Sequence, residues 1–301
     1  MAGRFCVGVM AHPLRPRSEP IAERIGADLQ AAGCEVWLRK QWQADEVEPL
    51  IAESQLLIAI GGDGAMLNVA RVCAPHGVPV LGINVGRLGF LTELKLAEWN
   101  GQIIERLMKE DYRRESRMMI EAEVWRAEER IASVLALNDI VVSRARLPRA
   151  IQLDTRIDGA WATVYSADAL IIASPTGSTA YALACGGPIM PPELKNILLV
   201  PVAPHLSMDR SLVLSEGAQL DITVKLLPSR EAIITADGVE FCVLRSEDRV
   251  SVRAAEPVSQ FVRLRPPTYF YRSLLDRLEP RLPTWTTESR LLTEEGAEAD
   301  S

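Results

Sequence analysis

The stretch that most constrains the fold is an uninterrupted apolar run that leads directly into a glycine-rich turn. The run is Leu56–Ile60, and the turn is Gly61-Gly62-Asp63-Gly64. Consecutive apolar residues before a glycine turn indicate a parallel strand that is buried on both faces. A helical pattern begins at Ala65. The turn therefore joins the carboxyl end of a strand to a helix, and ligands bind at that edge of open α/β sheets.

The chemistry of this turn favours phosphoryl transfer to a hydroxyl. Glycines let the backbone approach a phosphate and offer N–H groups to it. The Asp63 carboxylate repels phosphate, but it can accept the proton of a hydroxyl or hold a metal ion. A sugar-hydroxyl kinase needs that combination. The alternative is a tight turn in which Asp63 only caps the helix.

The composition argues against several broad classes. The chain has 301 residues, 48% of them apolar, which is enough for one large domain or two ordinary ones. A net charge of −7 argues against a general nucleic-acid surface, and no apolar run approaches the ~20 residues of a membrane span. The N-terminal residues are typical of a first strand and not of a signal peptide.

Five scattered cysteines without a C-x-x-C pair, and only three histidines, argue against disulfides and structural zinc. We therefore expect reduced thiols and a cytoplasmic protein.

The order of periodic segments predicts domains of different class. In residues 1–112, strand and helix patterns alternate, which predicts an open, doubly wound α/β domain with a parallel sheet. Short strand patterns dominate residues 113–267, which predicts a mainly β domain of packed sheets. A late amphipathic helix at 268–285 is expected to return to the first domain. The acidic residues 286–301 are expected to form a disordered tail.

Within the β-rich region, three short signals locate turns and a helix. Asp158-Gly159 and Asp237-Gly238 are typical of two-residue hairpin turns. A Ser/Thr/Gly-rich segment, Pro175-Thr176-Gly177-Ser178-Thr179, follows a strand pattern, and a helix is expected from Ser178 to about Cys185. Free N–H groups at that helix start, with the neighbouring hydroxyls, suit an anion or a sugar.

Polar groups also follow or precede other strand patterns. The loop at 82–91 is rich in glycine, but its spacing is not the dinucleotide fingerprint, and the chain has no Walker A motif. In that loop, Arg87 and Phe90 could contact phosphate and base, or simply pack. Asn138-Asp139 suits ribose hydroxyls, with an ordinary Asx turn as the alternative. Arg149 and its neighbouring arginines could bind phosphate or form a solvated face.

Together and in this order, the motifs resemble the NAD kinase family, whose members phosphorylate the 2′-hydroxyl of the adenosine ribose. The resemblance is carried by Gly61-Gly62-Asp63-Gly64, by Asn138-Asp139, and by the string 175–181 followed by Gly186-Gly187-Pro188. The first motif also occurs in lipid kinases and phosphofructokinases, whereas the third is far more specific. The resemblance covers most of the chain, from Phe5 to about Leu278.

The resemblance implies a role for individual residues. Asp63 resembles the catalytic base. The residues that match the NAD side are Asp63, Gly64, Phe90, Asn138, Asp139, Arg149, Asp168, Thr179, Ala180, Tyr181 and Ala184. Those that match the ATP and phosphate side are Gly61, Gly62, Gly64 and Arg87. No protein metal ligand is implied, because Mg²⁺ or another divalent cation is expected to arrive with ATP.

The implied reaction is transfer of the γ-phosphoryl group of ATP to NAD, giving NADP and ADP, with polyphosphate as the alternative donor. The family also implies a homodimer or homotetramer in which a second subunit completes the NAD site. Neither nucleic acid nor a membrane is an expected partner. The alternatives are a kinase for a lipid or a sugar phosphate, and a non-catalytic nucleotide-binding regulator on the same fold.

The chain departs from the family pattern at four positions. Ala65 replaces Thr or Asn, Ser166 replaces Lys or Arg, Ala184 replaces Ser, and Val239 replaces Gln. Because none of them removes the proposed base, they bear on substrate affinity more than on reaction type.

Overall fold

The computed structural model describes residues 5–12, 15–40, 44–86, 89–145, 150–227, 231–266 and 274. The chain divides into a unit that ends at Leu264 and a second unit from Arg265. Of the second unit, only residues 265, 266 and 274 are described, and Leu274 is helical. The predicted late helix at 268–285 and the predicted tail at 286–301 otherwise lie outside the described residues.

The first unit contains five α-helices and nineteen strands among its described residues. The helices are α1 (Ser18–Ala31), α2 (Ala44–Ala52), α3 (Asp63–Cys73), α4 (Gly101–Met108) and α5 (Tyr181–Ala184). The strands are β1 (Cys6–Ala11), β2 (Glu35–Arg39), β3 (Leu56–Ile60), β4 (Val80–Asn84), β5 (Leu94–Lys95), β6 (Arg113–Arg117), β7 (Ile120–Arg126), β8 (Glu129–Ala136), β9 (Asp139–Arg144), β10 (Ile151–Ile157), β11 (Ala160–Ala167), β12 (Ala169–Ala173), β13 (Asn196–Val202), β14 (Leu212–Ser215), β15 (Leu220–Lys225), β16 (Ala232–Ala236), β17 (Val239–Leu244), β18 (Arg249–Ala254) and β19 (Ser259–Arg263).

A seven-stranded sheet in the order β2-β1-β3-β4-β19-β6, with β5 beside β4, forms the α/β part. Its strands pair in parallel except for β19 with β6. Helices α1 and α4 pack on one face through Ile25, Leu29 and Ile104, and α2 and α3 pack on the other through residues such as Val47 and Met66. The predicted parallel sheet with helices on both faces is confirmed.

The β-rich part consists of two antiparallel sheets, in the orders β11-β10-β15-β18-β7-β8 and β14-β13-β12-β9-β16-β17. Buried and partly buried residues alternate along strands such as β15, and the buried faces of the two sheets share one apolar core. This confirms the predicted packed sheets. Both predicted hairpin turns are also confirmed, because φ is positive at Asp158, Gly159, Asp237 and Gly238, as a two-residue type I′ turn requires.

The helix predicted from Ser178 to about Cys185 is wrong in detail. A 3₁₀ helix covers Thr176–Thr179, and the four-residue α5 follows it. Ala180 separates the two with φ −101° and ψ −126°, and a helix cannot continue through a residue with these non-helical angles.

Strands β6 and β19 lie within the residues assigned to the second domain, yet they pair with each other in the first sheet. The boundaries of the predicted domains stay a prediction. Among the described residues, no helix is long and apolar enough to cross a membrane.

Candidate active site

The glycine turn after β3 presents free backbone N–H groups. Gly62 is extended and precedes α3, and as a glycine it has no side chain with which to cap this helix. Within the described part of the chain, the N–H groups of Gly62, Asp63 and Gly64 meet no hydrogen-bond acceptor. Free N–H groups at the start of an eleven-residue helix attract an anion, and the helix dipole adds to that attraction.

The Asp63 carboxylate is held by the loop that follows β4. The N–H of Phe90 donates to Asp63 Oδ2 at 2.8 Å, and the N–H of Leu91 donates to Oδ1 at 3.0 Å. The carboxylate therefore does not cap its own helix, which was the alternative interpretation. Each of its oxygens accepts one N–H and keeps a second lone pair for another donor.

Gly89 makes this contact possible. A Cβ atom at Gly89 would lie 1.7 Å from Asp63 Oδ1, so any larger residue would displace the carboxylate or the loop. The Gly89 N–H donates to Thr92 Oγ1 at 2.9 Å, which holds the loop in this conformation. The glycine-rich loop is thus built around Asp63, and Phe90, partly buried, lies next to it.

The Asp237 carboxylate, at the turn between β16 and β17, organises the wall of a nearby cavity. Its Oδ2 accepts the N–H of Leu137 at 3.0 Å. Its Oδ1 accepts the N–H groups of Asn138 at 2.7 Å and Asp139 at 3.3 Å. Asp237 thereby fixes the backbone of the Asn138-Asp139 motif.

The carbonyl side of the same motif is held by the Ser/Thr/Gly-rich segment. Ser174 donates its N–H to the Asn138 carbonyl at 2.9 Å, and its hydroxyl donates to the Leu137 carbonyl. A Cβ atom at Gly177 would lie 2.0 Å from the Asn138 carbonyl oxygen. Two of the three segments that carry the family resemblance are therefore packed backbone to backbone.

These elements enclose a cavity of about 390 Å³. Its lining residues are Asn138, Asp139, Val141, Ser143, Ala169, Ala180, Tyr181, Thr235, Asp237 and Gly238. Helix α3, which begins at Asp63, adjoins this wall, since Met66 and Val69 share an apolar core with Leu137. The size and the few convergent polar groups are typical of a small-molecule site.

Two neighbouring carboxylates of this cavity, Asp139 and Asp237, have raised pKa values. Burial, and then the nearby Asp237 carboxylate, raise the pKa of Asp139 to about 7, although the backbone N–H of Tyr181 acts in the opposite direction. Burial also raises the pKa of Asp237, against its three backbone N–H donors and Arg71, which lower it. Asp139 can therefore exchange a proton near neutral pH, where a ribose hydroxyl could meet it as donor or acceptor.

Other predicted site residues lie around the cavity or away from it. Asp168 forms an ion pair with Arg144, Nε to Oδ1 at 2.9 Å, beside the cavity residues Ser143 and Ala169. Thr179 donates its hydroxyl to the Thr176 carbonyl. Ala184 is exposed and outside the cavity lining. Arg87 and Arg149 lie outside the described residues.

The predicted anion site at the start of a helix near Ser178 is not formed. The N–H groups of Gly177, Ser178 and Ala180 are already bonded within the segment. The Ser178 hydroxyl is engaged with Pro175 and Met190. The segment instead shapes the cavity wall.

The residue of this wall with the most backbone hydrogen bonds, Asp237, was not among the predicted site residues. Asp237-Gly238 has the pattern of a hairpin turn, but Asp237 also anchors Asn138-Asp139. The sequence offered one signal of this role: position 237 has a carboxylate, although Asn would fit a type I′ turn equally well. Thr235 and Ser143 lie on strands and carried no local signal.

Comparison with known proteins identifies the family. The family model described as the ATP-NAD kinase N-terminal domain matches residues 19–112, and that of the ATP-NAD kinase C-terminal domain matches residues 137–264. A NAD kinase of Heliobacterium modesticaldum is 41% identical over 78% of this chain and 82% of its own length. A NAD kinase of Chloroflexus aurantiacus is 37% identical over 90% and 98%.

Solved structures show the same fold. Yeast NADH kinase, in a complex with NADH, has a TM-score of 0.78 at 22% identity and covers 92% of this chain and 88% of its own. An NAD kinase from Archaeoglobus fulgidus, in a complex with ATP, has a TM-score of 0.72 at 24% identity over 90% and 97%. With both family domains matched in order on one chain, the chain belongs to the NAD kinase family.

Proposed function

We propose that this enzyme transfers the γ-phosphoryl group of ATP to the 2′-hydroxyl of NAD, with Asp63 as the base. Family membership supplies the overall reaction, the phosphorylation of NAD to NADP. The observation that supports the base is the carboxylate oriented by the N–H groups of Phe90 and Leu91, with lone pairs left for a hydroxyl proton. Nothing in the structure or the comparisons favours a lipid, a sugar phosphate or a non-catalytic role.

The phosphates of ATP would meet the free N–H groups of Gly62, Asp63 and Gly64. Backbone N–H groups can offset phosphate charge close to Asp63 without adding another side chain to the site. Mg²⁺ or another divalent cation would enter bound to ATP, because phosphate oxygens are its preferred ligands. Phosphoryl transfer then depends mainly on alignment and electrostatics.

NAD would occupy the cavity beside Asp139. The polar groups of Asn138, Asp139 and Tyr181 face this cavity and suit ribose hydroxyls and base edges. Phe90 offers an aromatic surface next to Asp63, and Asp168 directly precedes the cavity residue Ala169. The NADH complex of the yeast relative and the ATP complex of the archaeal one support both ligands.

The direct test is NADP formation by the purified protein. With NAD, ATP and Mg²⁺ we expect steady NADP production, and chelation of the divalent cation with EDTA should abolish it, since unshielded ATP phosphates repel Asp63. A parallel assay with polyphosphate examines the alternative donor. No NADP from either donor, in a folded protein that still binds NAD, would contradict the proposed reaction.

We also propose that the enzyme works as a homo-oligomer. Val239 and Val243 on the edge strand β17 are each more than half exposed, and Val239 directly follows the cavity residue Gly238. Exposed apolar side chains on an edge strand are typical of a pairing surface. A second subunit placed there would extend the cavity wall.

Dilution tests this assembly. Specific activity should fall as the protein is diluted through the dissociation range measured by mass photometry, because a monomer lacks part of the NAD wall. The Val243→Glu variant should dissociate at higher concentration and lose activity in step. A monomer with full specific activity would contradict the proposal.

A cytoplasmic location is a further proposal, supported by five free cysteines.

A further inference from the structure

A cluster of buried charges lies directly beneath the loop that holds Asp63. It consists of Glu93, Glu115, Arg117 and Arg263, exposed by only 2%, 7%, 3% and 7%. Burying charges is costly unless they are paired, so such a cluster is weak evidence for stability alone. Its hydrogen bonds show that the cluster also holds the loop at Leu91.

Arg263, at the end of β19, makes the contacts that reach the loop. Its Nη1 donates to the Leu91 carbonyl at 3.0 Å and to Glu93 Oε2 at 3.3 Å. Its Nε and Nη2 both donate to Glu115 Oε1 at 3.1 Å. One planar guanidinium thus joins a backbone carbonyl to two carboxylates, one just before β5 and one on β6, a geometry that a lysine ammonium cannot reproduce.

The Leu91 backbone links Arg263 to the proposed base, Asp63. Its carbonyl accepts from Arg263, and its own N–H donates to Asp63 Oδ1. The preceding residue, Phe90, donates to the other oxygen. A shift of the Leu91 carbonyl would therefore rotate the N–H groups that aim the Asp63 carboxylate.

We propose that Arg263 is a positioning residue for phosphoryl transfer, which holds the Phe90–Leu91 backbone so that Asp63 faces the acceptor hydroxyl. The inference rests on the proposed role of Asp63 as the base. It adds a residue from the last described strand to a site otherwise built from the β3, β4 and β9 ends. A misalignment of about 1 Å at a reacting group can cost on the order of 10²-fold in rate.

The cluster also extends to the cavity wall. Arg117 donates to Glu115 Oε1 through Nε at 2.8 Å and Nη2 at 2.6 Å. Its Nη1 lies 3.5 Å from Thr176 Oγ1, in the segment that packs on Asn138. Burial raises the pKa of Glu115, but Arg117 and Arg263 outweigh it and lower that pKa to about 2. Glu115 is therefore ionised at neutral pH and forms ion pairs with both arginines.

Arg113 provides a matched control. It pairs with Arg263 in the β6–β19 register and donates to Glu115 through Nη2 at 3.1 Å. Among the described residues, the Arg113 side chain donates to Glu115 and not to Leu91. A lysine at either position keeps the positive charge, but only the change at Arg263 releases the loop.

The test compares Arg263→Lys with Arg113→Lys in the full chain. We expect Arg263→Lys to lower kcat about 10- to 100-fold with KM for NAD and ATP within about twofold of wild type. Arg113→Lys should keep kcat within about twofold. In an Asp63→Asn background, Arg263→Lys should cause no further loss, because its effect passes through that carboxylate.

Equal losses of kcat in the two lysine variants, a rise in KM alone, or a full loss that persists in the Asp63→Asn background would each overturn the inference. If Arg263→Lys fails to fold, Glu93→Gln decides, because the two Glu93 oxygens accept from Arg263 and from the Leu264 N–H, and the glutamine NH₂ must oppose one of these donors and displace the end of β19. An unchanged kcat in that variant would also overturn the inference. Normal turnover by Asp63→Asn alone would instead contradict the proposed base, a separate result.

Discussion

Replacing Asp63 by asparagine is expected to lower kcat by about 10²- to 10⁴-fold while NAD still binds. Asparagine cannot take the hydroxyl proton. It also places an NH₂ group against the N–H of Phe90 or Leu91, since each carboxylate oxygen accepts one of them. The measurement is kcat by NADP formation, together with the dissociation constant for NAD by calorimetry.

The Asp28→Asn variant is a suitable control. Asp28 also accepts a hydrogen bond, from Trp99 Nε1 at 3.1 Å, but it lies on α1. It should leave both kcat and NAD affinity unchanged. Near-normal turnover by Asp63→Asn would remove this residue from the role of base and point to another proton acceptor.

Asp237→Asn is expected to damage NAD binding more than catalysis. Both carboxylate oxygens of Asp237 accept backbone N–H groups, so the asparagine NH₂ must oppose at least one donor from 137–139. Leaving such a donor unpaired costs about 1–3 kcal/mol of unfolding free energy. Displacement of Asp139 should raise KM for NAD by about tenfold, equivalent to ~1.4 kcal/mol of binding.

The Asp158-Gly159 hairpin supplies the matched control for this change. Asp158 has the same positive φ as Asp237, 51° against 50°. Its Oδ1 accepts a single N–H, that of Gln219, at 2.9 Å. Asp158→Asn should alter urea stability by less than about 1 kcal/mol and leave KM unchanged. Equal effects of the two variants on KM would mean that Asp237 acts only as a turn residue.

The local sequence predicted the elements that carry strong periodic or turn signals. Leu56–Ile60 is a strand with the predicted bounds, because five apolar residues before glycines leave few alternatives. Ile151–Ile157, in the region of short strand patterns, is a strand whose first residues alternate between buried and less buried. The Asp-Gly turns were predictable because only certain residues accept positive φ.

Other features depend on partners far away in the chain and so carried no local signal. Arg113–Arg117 contains no apolar residue, and its strand exists because β19, about 150 residues later, pairs with it. The roles of Arg263 and Asp237 are of the same kind. The helix expected from Ser178 is interrupted at Ala180, whose dihedral angles are not helical, and the Ser178 hydroxyl just before it is bonded to the distant Met190.

The position of β19 between β4 and β6 has a consequence for the time at which activity can appear. The polypeptide leaves the ribosome from its N-terminus, so β1 to β6 emerge long before β19 exists. Until then the first sheet has an open slot beside β4, and the Glu93 and Glu115 carboxylates lack Arg263. The β-rich sheets, which lie between these strands in the chain, can fold as a unit in the interval. We therefore expect a nascent chain to carry Asp63 from an early stage but to hold it in position only when β19 is inserted.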